Sequence, residues 1–124
     1  LHHVELYVSD LERSLAFWTP LMEQLGYEPD HWGGGMSYYG KQGEPYLCLL
    51  QAPADHLDAG YHRKRVGLNH LAFHARDRAH VDELLAWADA QGHTVLYRDR
   101  FPEQDYYSLF LEDPDRIKLE VVAP

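Results

Sequence analysis

The chain has 124 residues, a mass of 14.4 kDa and a formal net charge of −9, long enough to bury roughly two-thirds of its unfolded surface and too short for a second large domain. Twenty acidic residues against eleven basic ones exclude an extended phosphate-binding surface, so nucleic acid is not an expected partner. The single cysteine, Cys48, excludes an internal disulfide and points to a reducing, cytoplasmic setting, and no apolar run approaches the roughly 20 residues of a membrane span, so no membrane partner is expected.

The first element alternates from His3 to Val8, which predicts a strand with Val4, Leu6 and Val8 on one face and His3, Glu5 and Tyr7 on the other. Ser9 followed by Glu12 has capping-box spacing, and Leu11, Leu15, Trp18, Met22 and Leu25 form a helical stripe ending near Gly26. Pro20 falls inside that stripe and predicts a kink or a short restart, because it lacks a donor and crowds the preceding turn. Three short extended stretches follow, over 27–31, 36–39 and 46–51, separated by turn-forming residues at 33–35 and 41–43. Residues 52–67 read as a linker, with the basic run His62 to Arg65 as a solvated loop. A second strand then opens at His70, Asp77 caps a helix with the apolar face Val81, Leu84, Leu85 and Ala88, and Gly92 stops it. Extended stretches over 94–97, 107–111 and 117–122 complete the chain, the last two joined by Asp113-Pro114-Asp115.

Laying His3 on His70 puts Val4 on Leu71, Leu6 on Phe73 and Asp10 on Asp77, and, with one residue lost, Gly26 on Gly92. Both the strand period and the helix period survive this superposition, so the chain reads as an α+β protein of two βαβββ units, 1–51 and 68–124, forming one domain with a cupped mixed sheet. Alternation then places His3 on the first strand, His70 on the fifth and Glu120 on the last, each on the face away from its helix. Two neutral imidazoles and a carboxylate suffice to hold a divalent metal and leave positions open for substrate or water. His74 and Tyr7 share that face and are candidates for proton transfer or hydrogen-bond donation, while Glu5, Trp32, Tyr46 and Tyr107 are candidates for contact with a small substrate. Gly33-Gly34-Gly35 lacks the Lys-Ser/Thr of a phosphate loop, and no nucleophile-elbow or zincin string occurs. Cys48, inside an apolar strand, reads as an inert small hydrophobe.

The strings "HHVELYVSDLERSLAFW", "LGYE", "GLNHLAFHA" and "YYSLFLEDPDRIKLEVVAP" resemble the vicinal oxygen chelate superfamily, which includes glyoxalases, extradiol dioxygenases and fosfomycin- and bleomycin-resistance proteins. The resemblance implies a metal on the concave face, bound through His3, His70 and Glu120, with Fe, Mn, Zn, Ni or Co as the ion, and a homodimer. Glyoxalases supply a further Glu from the last strand of the first unit; the same alignment puts Leu49 there, with Gln51 the one polar substitute on its face. That difference favours a three-ligand site like those of extradiol dioxygenases and fosfomycin-resistance transferases. Relatives of the bleomycin-resistance type keep the fold without a metal, so a non-enzymatic binding protein is the alternative. Arg116 stands where the family turn has glycine after "DPD", which predicts a locally different turn.

Overall fold

The computed structural model describes residues 1–124. Its contacts cluster into two units, Leu1–Gly60 and Tyr61–Pro124. The first contains β1 (His3–Val8), α1 (Leu11–Gln24), β2 (Glu28–Trp32), β3 (Gly35–Tyr39) and β4 (Tyr46–Gln51), followed by a single 3₁₀ turn at Ala54–His56. The second contains β5 (Leu71–His74), α2 (Arg78–Gln91), β6 (Thr94–Leu96), β7 (Ser108–Glu112) and β8 (Lys118–Val122). Each unit forms its own four-stranded mixed sheet, ordered β1-β4-β3-β2 and β5-β8-β7-β6, so the repeat holds in topology as well as pattern. In both, the first strand pairs in parallel with the last, His3 opposite Tyr46 and Ala72 opposite Glu120, and the other pairings are antiparallel.

Each helix seals one face of its sheet. In unit 1, Phe17, Trp18, Leu21 and Met22 of α1 are buried with Val8, Tyr38, Leu47 and Leu49, and the Tyr38 hydroxyl reaches Thr19 Oγ1 on α1 at 2.7 Å. In unit 2, Val81, Leu84 and Ala88 of α2 are buried, as are Leu109, Leu111, Leu119 and Val121 of β7 and β8. This follows the predicted alternation: in β1, Val4, Leu6 and Val8 are the less exposed residues and His3, Glu5 and Tyr7 the exposed ones.

Four local expectations are corrected. α1 runs from Leu11 to Gln24 without a restart at Pro20; buried residues on both sides of the proline hold the helix together despite its missing donor, and Gln24 Nε2 donates to the Pro20 carbonyl. Its cap is Asp10, which accepts from Arg13 N at 3.0 Å, while Ser9 Oγ accepts from the Arg13 guanidinium. Asp77 caps α2 in the same way, through His80 N at 2.8 Å, so the repeat was a better guide to the cap than the box spacing. The basic run is not wholly solvated: Arg63 donates to Glu112 Oε1 at 2.6 Å in a mostly buried pair. Finally, the turn between β7 and β8 keeps a left-handed residue, with Arg116 at φ 65°, and Asp113 Oδ1 accepts from Asp115 N and Ile117 N at 2.8 Å to hold it.

A side chain with a Cβ is disfavoured at that φ, and the Arg116 guanidinium returns only a long, exposed contact with Glu112 at 3.8 Å. Arg116→Gly is therefore expected to raise stability by about 1 kcal/mol, read as a higher urea midpoint at unchanged slope; a lower midpoint would show that the arginine contact outweighs the backbone strain.

Candidate metal and substrate face

In unit 2 the face away from α2 carries His70 at the mouth of β5 and Glu120 in β8. Glu120 is 3% exposed, an unusual position for a carboxylate. Its Oε2 lies 3.2 Å from His70 Nε2, and its Oε1 is buried without a hydrogen-bond partner. On the other side of the ring, His70 Nδ1 is 2.6 Å from Asn69 Oδ1. Donation from Nδ1–H to that amide oxygen leaves the Nε2 lone pair of a neutral ring facing a carboxylate, an arrangement that needs a cation between the two. A proton on Nε2 would satisfy Oε2 and still leave Oε1 bare. A divalent ion satisfies both, so the donor set and the orphaned oxygen fit a metal. Within neither unit do three His, Cys, Asp or Glu side chains gather into a metal-holding group, so the pair in unit 2 supplies two protein ligands on its own.

Tyr106, which the strand pattern did not distinguish from Tyr107, lies near the Glu120 carboxylate without a geometrically formed hydrogen bond to it, and the pull of that acceptor, then desolvation and its negative charge, hold the phenol above its ordinary pKa. Tyr107 is turned the other way: its hydroxyl donates to Asp82 on α2 at 2.7 Å and its ring lies under Arg78, which ties the sheet to its helix. His74 shares the His70 face and is exposed. Phe110, opposite Glu120 in β7, sets its ring edge-on to His70 at 6.2 Å, and a cavity of about 190 Å³ opens beside it, lined by Val81, Leu85, Leu96, Phe101, Ser108 and Phe110. The Ser108 hydroxyl is buried there without a partner.

Unit 1 repeats the geometry with different chemistry. His3 stacks on Tyr46 at 4.9 Å and 15°, its Nδ1 lies 2.8 Å from His2 Nδ1, and its Nε2 lies 3.8 Å from Glu5 Oε1. Tyr7 is exposed further along the same face. The register corrects the residue assigned to the extra glyoxalase position. Glu120 pairs with Ala72, two residues after His70; the residue that pairs with Glu5, two residues after His3, is Cys48. Leu49 is on the α1 side and fully buried. Gln51 is not a replacement ligand either: its Oε1 accepts from Leu11 N at 2.8 Å and its Nε2 donates to the Ser9 carbonyl at 2.9 Å, which fixes the entry into α1. The Cys48 thiol is buried and 3.1 Å from Ser37 Oγ, which accepts from Trp32 Nε1 at 2.9 Å. Trp32 thereby lies across the unit 1 face as a cover over β3.

That cover requires a glycine beneath it. A Cβ on Gly35 would sit 2.7 Å from Trp32 Cζ2 and 2.8 Å from the Leu49 carbonyl oxygen, and the latter is backbone that cannot swing away. Gly35→Ala is expected to cost about 1–3 kcal/mol in urea unfolding and to shift the emission of Trp32. An unchanged midpoint would mean that the indole does not lie where the geometry puts it.

The profile described as Glyoxalase/Bleomycin resistance protein/Dioxygenase superfamily matches residues 1–121. An uncharacterized protein of Bacillus subtilis strain 168, YqjT, is 50% identical over 128 residues, covering 100% of this chain and 98% of that protein. A solved structure of a proposed glyoxalase from Bacillus halodurans is 48% identical with a TM-score of 0.92, covering 100% of this chain and 95% of that one. The lactoylglutathione lyase of Agrobacterium tumefaciens is 27% identical with a TM-score of 0.66, over 99% of this chain and 92% of the other. The repeated βαβββ fold, the faces that carry His3, His70 and Glu120, and these matches together make the chain a member of the glyoxalase/bleomycin resistance protein/dioxygenase superfamily.

Proposed function

We propose that the chain is a metal-dependent enzyme acting on a small substrate with adjacent chelating oxygens, its divalent ion held by His70 and Glu120 with His3 as third ligand. The observation that supports this reading most strongly is the Glu120 carboxylate, buried, with one oxygen on the His70 Nε2 and the other without a partner. His3 is put forward because it occupies the repeat position of His70 and because unit 2 supplies only two ligands by itself. In a homodimer His3 can be contributed by the partner subunit. Once bound, the ion would lend Lewis acidity to the paired oxygens of the substrate. The chain's own groups set the rest: Asn69 fixes the His70 ring, His74 lies exposed on the same face as a candidate proton carrier, and Tyr106 keeps its proton beside Glu120. The Phe110 ring, edge-on to His70, offers an apolar surface to part of the substrate.

Glu120→Gln is expected to lower metal affinity at least ~10-fold, and Asn69→Ala ~10-fold, the effect typical of removing a partner that orients a ligand. Metal content by inductively coupled plasma mass spectrometry on untagged protein checks this; full stoichiometric metal in a His3/His70/Glu120 triple Ala variant would place the site elsewhere. If the site is shared, mixing His3→Ala with Glu120→Ala protein restores up to one site per mixed dimer, whereas a monomer in light scattering at micromolar concentration would exclude sharing. Metal binding also separates an enzyme from a binding protein of the bleomycin-resistance type, which would fold and take its ligand without the ion.

The reaction class follows from unit 1. At the position where glyoxalases carry a carboxylate, β4 offers the thiol of Cys48, itself engaged with Ser37. Two imidazoles and one carboxylate leave up to three positions of an octahedral ion for a chelating substrate and a second reactant. Isomerisation of the methylglyoxal–glutathione adduct is therefore expected to be negligible with Ni, Co, Mn or Zn, and Fe(II)- or Mn(II)-dependent turnover of a catechol-like or other vicinal-oxygen substrate is favoured. Robust isomerase activity in metal-reconstituted protein would overturn this order and direct attention to Glu5 as the base.

A further inference from the structure

Arg63, Arg76, Arg98 and Arg116 each find a carboxylate, whereas two cations near the His70–Glu120 face do not. Lys118 lies in β8, two residues before Glu120 on the same face, and is only 9% exposed. Its Nζ donates to the Tyr97 hydroxyl at a long 3.4 Å and sits 5.5 Å above the Tyr97 ring; no carboxylate reaches it. The absence is specific. Glu112 is the cross-strand neighbour of Lys118, yet its carboxylate is taken by Arg63 at 2.6 Å and approached by Arg116 at 3.8 Å. Arg100 is the second cation. Its guanidinium lies 4.8 Å from the Tyr97 ring centre and 5.9 Å from that of Phe101, and it forms no ion pair, whereas Arg98, two residues earlier, pairs with Asp89.

Tyr97, which both cations contact, has φ 57°, a conformation an aromatic residue adopts only when its surroundings impose it, and this residue ends β6 one position earlier than the sequence pattern predicts. Its ring meets Phe110 at 5.2 Å, and Phe110 in turn meets His70 at 6.2 Å. A continuous aromatic wall therefore joins the cations to the His70–Glu120 pair. Along an extended strand, two residues span about 6.5 Å, so the ammonium is within the length of a small molecule from the carboxylate.

A buried ammonium served by one long hydrogen bond and a π-face is incompletely solvated, and the missing partner is an anion. We propose that Lys118, with Arg100 at the edge, forms an anion-binding subsite, and that the substrate carries a carboxylate or phosphate-type group besides its chelating oxygens. The position of that group relative to those oxygens rests on the metal reading above; the anion subsite itself does not.

Three probes share a vicinal diol and differ in charge: glycerol, glycerate and glycerol 3-phosphate. By calorimetry on Mn(II)-loaded protein, at least one of the two anions is expected to bind ~10-fold or more tightly than glycerol, and which of them does so distinguishes a carboxylate site from a phosphate site. Lys118→Met should reduce that preference to less than threefold while leaving Mn(II) affinity intact, and Lys118→Arg should restore part of it. Arg100→Gln, at an exposed position where folding is not at stake, should weaken anion binding severalfold even if the Lys118 variant is unstable. A parallel titration of metal-free protein with inorganic phosphate, followed by backbone amide NMR, separates the two readings: shifts at Tyr97, Arg100 and Lys118 without Mn(II) binding would sustain the subsite and remove the metal. Equal affinity for glycerol and both anions in the wild-type protein, or an undiminished preference in Lys118→Met and Arg100→Gln, would overturn the proposal.

Discussion

A sheet with one face sealed by a helix can keep polar chemistry only on the other. In both units the residues at alternate positions are committed to the helix side, Leu47 and Leu49 under α1 and Leu109, Leu111, Leu119 and Val121 beside α2, and each is nearly or fully buried. The intervening positions are released from that packing. They hold His3, Glu5, Cys48 and Ser37 in unit 1 and His70, His74, Lys118 and Glu120 in unit 2. A register slip of one residue would exchange the two sets, so the core fixes the register and the register places the candidate ligands.

On that open face, Glu120 is nevertheless buried, and a buried carboxylate has to be compensated. The structure compensates it on one oxygen, through His70, and leaves the other bare. Lys118 presents the opposite case two residues away, a buried ammonium whose natural neighbour, Glu112, is committed to Arg63. The chain could have paired these charges internally, as it pairs Arg98 with Asp89. Both unsatisfied groups are instead arranged along one aromatic wall of Tyr97, Phe101 and Phe110, where a cation and an anion brought by ligands would meet them.

The architecture was legible in the sequence because it is written twice: Asp10 and Asp77 cap corresponding helices, and Gly26 and Gly92 both adopt positive φ after them. The positions of His3, His70 and Glu120 on the open faces follow from alternation alone. What the pattern missed lies where a single residue's phase decides. Leu49 and Cys48 are adjacent in an unbroken apolar run, and only the pairing of Cys48 with Glu5 shows which of them faces the site. Tyr106 and Tyr107 precede β7 in a loop without a period, and only the structure shows that Tyr106 lies near Glu120 while Tyr107 donates to Asp82. Lys118 was legible as a residue of the open face; its lack of a counter-ion was not, because that depends on Arg63 reaching Glu112 from the linker.

The claim that carries the account is that the His70–Glu120 pair is built around a metal ion. Anomalous diffraction from crystals of untagged protein grown with Mn(II) or Zn(II), collected on both sides of the metal edge, tests it directly. The account predicts one strong peak bonded to His70 Nε2 and the Glu120 carboxylate, with His3 of the same or the partner chain completing the set. A saturated crystal with no peak there, and His70 Nε2 still 3.2 Å from Glu120 Oε2, would contradict it.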